Sequence, residues 1–261
     1  MWRYTLSLFI ALNVGLFAYE DYSKMAQIYA QNQAAGTDYL AFRNIPELLK
    51  LYTSDKKNLM VLDYGCGAGL STRFMKKILS EKACVIGVDI SPEMLTQALL
   101  ADPQGQYLLM EKKIPFESSI FDVVFCNFVL FEIPSKEEII RIFSDVKRTM
   151  KKGGVIVATT ATPEMYNCKN HWVTLDANFP ENDNLKSGDI ATVTAVFPGG
   201  DSMTFHDYYW LEEDYCFCFE KAGLKITSIN YPLGLKDEIL DWTWKDEISI
   251  APYVIFVLQN D

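Results

Sequence analysis

Short apolar runs alternate with amphipathic helical stretches from residue 23 to about residue 160, which predicts an α/β fold. The runs are nearly continuous in apolar residues, so the sheet is doubly wound, mostly parallel and covered on both faces. A glycine-rich turn in VLDYGCGAG, residues 61–69, stands between one run and a helix, as in folds that hold a nucleotide-like ligand.

The elements follow in order. YSKMAQIYAQ and TDYLAFRNIPELLKLY have helical spacing, the second interrupted near Pro46. NLMVLDY reads as a buried strand, STRFMKKILS as a helix and ACVIGVDI as a strand. SPEMLTQALLA is a helix capped by Ser91, with Pro92 at its first position. QYLLM and FDVVFCN are strands. SKEEIIRIFSDVKRTMKKGG is an amphipathic helix with a basic last turn and a glycine stop, and VIVATT is the next strand. Ligands of such sheets bind beyond the carboxyl ends of the strands, a rim that carries Asp63, Asp89, Met110, Glu111 and Asn127.

Beyond Thr160 the rhythm breaks. Residues 161–210 are polar and aromatic, with a hairpin formed by ATVTAVF, the turn PGGD and SMTFHDYYW. This is a substrate-side insertion over the sheet edge. LEEDYCFCFEKAG returns as a helix, followed by the strands LKITSINY and APYVIFVLQ. No strong crossover helix joins these two, which leaves room for one antiparallel strand.

The domain spans residues 21–261. Residues 1–20 are an apolar extension, short for a spanning helix, which needs about 20 apolar residues. They read as a helix packed on the domain, or as a weak signal or anchor.

The net charge of −10 argues against a phosphate backbone or an anionic membrane as partner. Six cysteines without a C-x-x-C pair, and only two histidines, argue against a zinc site. Free cysteines fit a reduced, cytoplasmic compartment, with membrane association through residues 1–20 as the alternative. The expected partner is a small-molecule substrate, not nucleic acid, and the expected state is a monomer or homodimer.

The glycine loop selects among nucleotide ligands. Gly65, Gly67 and Gly69 miss the dinucleotide spacing G-x-G-x-x-G by one residue, and G-L-S-T lacks the P-loop lysine. Asp63, before the loop, would repel a pyrophosphate and attract an ammonium or sulfonium. The loop amides and helix start still suit a carboxylate. Asp89, one βα unit further on, suits ribose hydroxyls, with Ile90 and Met94 near an adenine face. S-adenosylmethionine satisfies all of these, with S-adenosylhomocysteine as its product.

With VLDYGCGAG, GVDISPEML, KKIPFESSIFDVVFCNFVLFEI and VKRTMKKGGVIVATT in that order, the sequence resembles the class I S-adenosylmethionine-dependent methyltransferases. The resemblance implies a Rossmann-like, seven-stranded sheet whose last hairpin inserts an antiparallel strand. It implies a methionine-side loop of Asp63, Gly65, Cys66, Gly67 and Gly69, and a ribose contact at Asp89. Ile90, Met94, Met110 and Glu111 would lie by the adenine. The family often has an acidic residue before L-P-F, and Met110 and Glu111 straddle that place. Asn127 and Phe128 would touch the amino-acid end. Tyr29 and Tyr22 resemble an aromatic pair that closes over the cofactor, with Tyr22 on the substrate side.

Methyl transfer mainly requires a positioned nucleophile and exclusion of water, and a hydroxyl acceptor usually needs a base. His206 and Tyr208 are the candidate catalytic residues. His171, Trp172, His206, Tyr209 and Trp210 are candidates to line a pocket for a flat or cationic substrate. The hairpin and FHDYYW loosely resemble the small-molecule branch of the family, including toxoflavin-synthase-like N-methyltransferases. The expected activity is transfer to nitrogen or oxygen of a metabolite. The alternative is a protein that binds the cofactor without turnover, as a sensor or partner subunit.

Overall fold

The computed structural model describes residues 22–79 and 83–261, with side chains described from Ala26 onward. The apolar extension of residues 1–20 lies outside the described residues, as does the side chain of Tyr22. Among the described residues no helix is long and apolar enough to cross a membrane.

Helix α1 (Tyr22–Tyr29) leads to a 3-10 turn (Gly36–Tyr39), then α2 (Leu40–Arg43) and α3 (Ile45–Thr53). Pro46 sits in the first turn of α3, where its missing N–H leaves no bond unmade. There follow β1 (Met60–Tyr64), α4 (Leu70–Ile78), β2 (Cys84–Asp89), α5 (Pro92–Ala101), β3 (Gln106–Leu109) and β4 (Phe121–Asn127). A 3-10 turn (Leu130–Glu132) precedes α6 (Lys136–Thr149) and β5 (Met150–Ala161). The inserted strands are β6 (Leu175–Asp176), β7 (Ile190–Val196) and β8 (Ser202–Tyr208). The chain closes with α7 (Glu212–Lys221), β9 (Lys225–Asn230) and β10 (Tyr253–Gln259).

The main sheet has seven strands in the order β3-β2-β1-β4-β5-β10-β9. It is parallel except for β10, which runs antiparallel to both β5 and β9. The strand order reverses between β1 and β4, so their carboxyl ends open the crevice that holds ligands in doubly wound sheets.

Each strand feeds two cores, which is why its apolar run is continuous. Leu62, Val124, Ile156 and Phe256 face α6 and α7, where Phe143 and Phe219 pack with ring centroids 4.7 Å apart. Val61, Phe125, Val157 and Ile255 face Phe42, Leu49 and Met75, together with Ala191 and Val193 of the inserted sheet. Serine caps start two of the helices: Ser91 accepts from the Met94 N–H and Ser135 from the Glu138 N–H.

Two boundaries differ from the sequence expectation. The expected hairpin forms as β7 and β8, and a short strand, β6, joins it to make a three-stranded antiparallel sheet. Its extra strand is two residues long, too short to show a period, and its backbone pairs with Thr194 and Ala195 of β7. Helix α6 stops at Thr149, and the M-K-K-G-G segment already belongs to β5. Gly153 takes φ +72° there, and its N–H donates to the Asn260 carbonyl at 2.6 Å.

Candidate active site at the carboxyl rim of the sheet

The loop after β1 is fixed from below. The N–H groups of Gly65 and Cys66 both donate to the Val88 carbonyl of β2, at 2.8 and 3.0 Å. Gly65 has φ +71°, and a Cβ built on it would lie 2.4 Å from Cγ2 of Val129, so only glycine fits this approach. Gly67, at φ +50°, donates its N–H to Oδ2 of Asp89 at 2.7 Å. The other oxygen of Asp89 accepts from the Ser91 N–H at 2.9 Å. Burial raises the Asp89 pKa, and these backbone donors pull it back.

A cavity of about 490 Å³ opens over this loop. From the rim it is lined by Gly65, Gly67, Asp89, Ile90 and Met94, and further along by Met110, Glu111, Asn127, Phe128 and Tyr29. Asn127 is buried, and its Oδ1 has no hydrogen-bond donor among the described residues. An unpartnered buried acceptor at the rim, a left-handed glycine loop and an acidic strand end fit a ligand with an ammonium group and a ribose. The volume lies within the usual range for cofactor sites. The residues present therefore fit S-adenosylmethionine.

Three residues expected to touch the ligand do not line this cavity. Asp63 is fully buried beneath the loop, where its Oδ2 accepts from Ser71 and Thr72 at 2.6 and 2.5 Å. It ties β1 to the start of α4. Burial pushes its pKa up to about 6 against those two hydrogen bonds, with Asp89 adding to the rise. Cys66 lines a smaller neighbouring pocket, and burial raises its thiol pKa. Gly69 takes φ +79° at the N-cap of α4, against the Tyr107 hydroxyl.

The chain is similar to known methyltransferases. A family model described as "Methyltransferase domain" matches residues 62–158, from the glycine loop through β5. A model described as "Protein-L-isoaspartate(D-aspartate) O-methyltransferase" matches residues 9–101. The N-demethylindolmycin N-methyltransferase of Streptomyces griseus is 26% identical over 80% of this chain and 88% of its own length. Together with the fold, these matches support a class I S-adenosylmethionine-dependent methyltransferase. An 18S rRNA (guanine(1575)-N(7))-methyltransferase of Saccharomyces cerevisiae is 33% identical, over 38% of each chain. For the fold, an S-adenosylmethionine-dependent methyltransferase from Mesorhizobium loti superposes with a TM-score of 0.58. It is 17% identical, over 86% of this chain and all of that one.

A second pocket of the methyltransferase, of about 60 Å³, shares Tyr29 and Phe128 with the cofactor cavity. Its other walls come from Asn32 and Asp38 after α1, Phe131 after β4, Met165, Leu175 of β6, Val193 and Ala195 of β7, Phe197 in the turn after β7, Phe205 and Asp207 of β8, and Tyr253 of β10. Phe128 takes φ +60°, a left-handed backbone that a bulky residue holds only under constraint. Its N–H donates to the Thr159 carbonyl at 3.1 Å, and its ring lies 5.1 Å from that of Tyr253.

The substrate-side residues expected from sequence lie elsewhere. Alternate residues of β8, Phe205 and Asp207, line the pocket, whereas His206 and Tyr208 do not. His206 sits across from Thr192 of β7, with Nδ1 3.3 Å from that hydroxyl. Tyr208 and Trp210 pack into the α6/α7 core, and Trp210 donates to the Ile133 carbonyl at 3.1 Å. Tyr209 packs 6.0 Å from Tyr166. Trp172 is buried and donates to the Met165 carbonyl at 3.0 Å. His171 is 77% exposed beside Asp246. Strand alternation leaves His206 and Tyr208, the expected catalytic residues, outside the lining of this pocket.

Sequence reasoning missed Asp38, Asn32, Phe197, Phe205, Asp207 and Tyr253. The usable signal was period 2 in SMTFHDY: the buried Met203 and Asp207 share a parity with Phe205, and the exposed Thr204 shares one with His206.

Proposed function

We propose that this methyltransferase transfers a methyl group to nitrogen or oxygen of a small metabolite. The observation that carries the reading is the narrow pocket that shares Tyr29 and Phe128 with the cofactor cavity. A pocket of about 60 Å³ suits a small reacting group. The Streptomyces griseus relative, an N-demethylindolmycin N-methyltransferase alike over most of both chains, favours the same reading.

Asp89 would hold the ribose hydroxyls, and Ile90, Met94, Met110 and Glu111 the adenine side. Asn127 and the Gly65–Gly67 backbone would hold the amino-acid end. Bound S-adenosylmethionine supplies a methyl group already activated on a sulfonium. The chain's own work is then positional. Tyr29 and Phe128 orient the two chambers toward each other, and the aromatic lining of the second excludes water.

The test is incubation with methyl-labelled cofactor and a cell extract separated by size. Label is expected in the small-molecule fraction. Label confined to RNA or protein would overturn the small-metabolite reading.

A further inference from the structure

We infer that the second pocket selects an amine as methyl acceptor, and that Asp38 is the residue that recognises it. The inference rests on the methyltransferase reading above and names its substrate class.

The pocket's described lining contains aromatic rings, small apolar side chains, Asn32 and two carboxyl groups, with no Lys, Arg or His. Asp38 accepts from the Tyr253 hydroxyl at 2.6 Å and from Asn32 Nδ2 at 2.9 Å. Burial raises the Tyr253 pKa well above its usual value, with Asp38 raising it further, so this donor is a neutral phenol. Asp207 of β8 accepts at Oδ2 from the buried Tyr166 hydroxyl at 2.6 Å. The Tyr253 phenol and the Asn32 amide, both neutral donors, orient the Asp38 carboxylate without neutralising it.

Around them stand aromatic rings. Tyr29 lies edge-on to Phe197 and Phe205, with centroids 6.2 and 6.4 Å away, and Phe128 lies 5.1 Å from Tyr253. Aromatic faces together with carboxylates in a partly dehydrated pocket attract an ammonium or a methylated ammonium. They repel a carboxylate or phosphate, and they offer a plain alcohol little beyond one hydrogen bond. The place is right for transfer, because Tyr29 and Phe128 belong to both chambers.

The proton accounting also closes. An amine entering as R-NH3+ gives one proton to a pocket carboxylate. The freed lone pair forms the N–C bond as the C–S bond of the donor breaks, and the C–S electron pair stays on sulfur. The product leaves as R-NH2+-CH3. Its charge is again matched by a carboxylate once the carboxyl group returns its proton to water. Asp38, with a pKa raised by burial, is suited to hold that proton.

The experiment uses the full chain saturated with S-adenosylhomocysteine and three small probes of similar size: ethylamine, ethanol and acetate. Calorimetry is expected to show ethylamine binding at least tenfold more tightly than ethanol, with no acetate binding. Asp38→Asn is expected to abolish the preference for the amine while S-adenosylhomocysteine binds as in the wild type. Asp207→Asn serves as a second variant, expected to weaken the preference, should Asp38→Asn fail to fold. Equal binding of the three probes, binding of none, or an amine preference that survives both substitutions would overturn the amine assignment. Intact S-adenosylhomocysteine binding in those cases leaves the methyltransferase site standing. Loss of S-adenosylhomocysteine binding by the wild-type chain overturns the site itself.

Discussion

The Gly67 N–H donates to Oδ2 of Asp89 at 2.7 Å, so the glycine loop and the acidic end of the next strand form one unit. Replacing Asp89 removes both the proposed ribose acceptor and the anchor of the loop. Asp89→Ala is expected to weaken S-adenosylmethionine binding by about 1.5–3 kcal/mol, the worth of hydrogen bonds to a charged group. Calorimetry checks this, and unchanged affinity would sink the ribose assignment.

The two loop glycines should differ in cost. Alanine at Gly67 meets its nearest atom, Cε1 of Tyr29, at 3.6 Å, so its cost is the left-handed backbone, about 1–2 kcal/mol. Alanine at Gly65 carries a similar backbone cost and also a 2.4 Å clash with Val129. Gly65→Ala is therefore expected to lose roughly 1–3 kcal/mol more in urea unfolding. Val129→Ala in the same chain should recover part of it. Equal stabilities for the two alanine variants would contradict the close approach.

Asp63 makes the fold sensitive to pH in a definite direction. Its pKa rises from 3.8 unfolded to about 6 folded, so the native state binds the extra proton between those values. The stability linked to Asp63 is complete below about pH 4 and is lost as pH rises through about 6. Asp63→Asn keeps an acceptor for Ser71 and Thr72 and removes the titration. Thermal melts across that window are expected to show a smaller decline for the variant than for the wild type. Parallel curves would place the proton elsewhere.

His206→Ala is expected to leave turnover within about twofold of wild type, because β8 presents Phe205 and Asp207 to the pocket instead. Initial rates with a confirmed acceptor measure it. A loss above tenfold, with cofactor affinity intact, would return His206 to the reaction.

The sheet, its order of elements and the glycine loop were legible because each is a local pattern. An apolar run, a capped helix and a left-handed glycine announce themselves within a few residues. The rim at Asp89 and Asn127 followed from the rule that ligands sit at strand ends. The direction of Asp63 was not legible for a related reason: the spacing locates the strand end but not which way the last side chains turn. It faces α4, where two hydroxyls hold it. The second pocket was hidden for a different reason. Asp38, Phe128, Phe205, Asp207 and Tyr253 lie far apart along the chain and meet only through the stacking of the inserted sheet on the main one. Within FHDYYW the composition points to a pocket, and the strand parity decides which side chains reach it. One residue's shift in parity exchanges His206 for Asp207.

Tyr29 and Phe128 stand in both chambers, and that sharing carries a thermodynamic obligation. Any rearrangement of these rings that lets the cofactor raise the acceptor's affinity must let the acceptor raise the cofactor's by the same factor. A substitution at either position therefore cannot retune one ligand in isolation. A change selected for a new acceptor would also alter how tightly the spent donor is held at equilibrium.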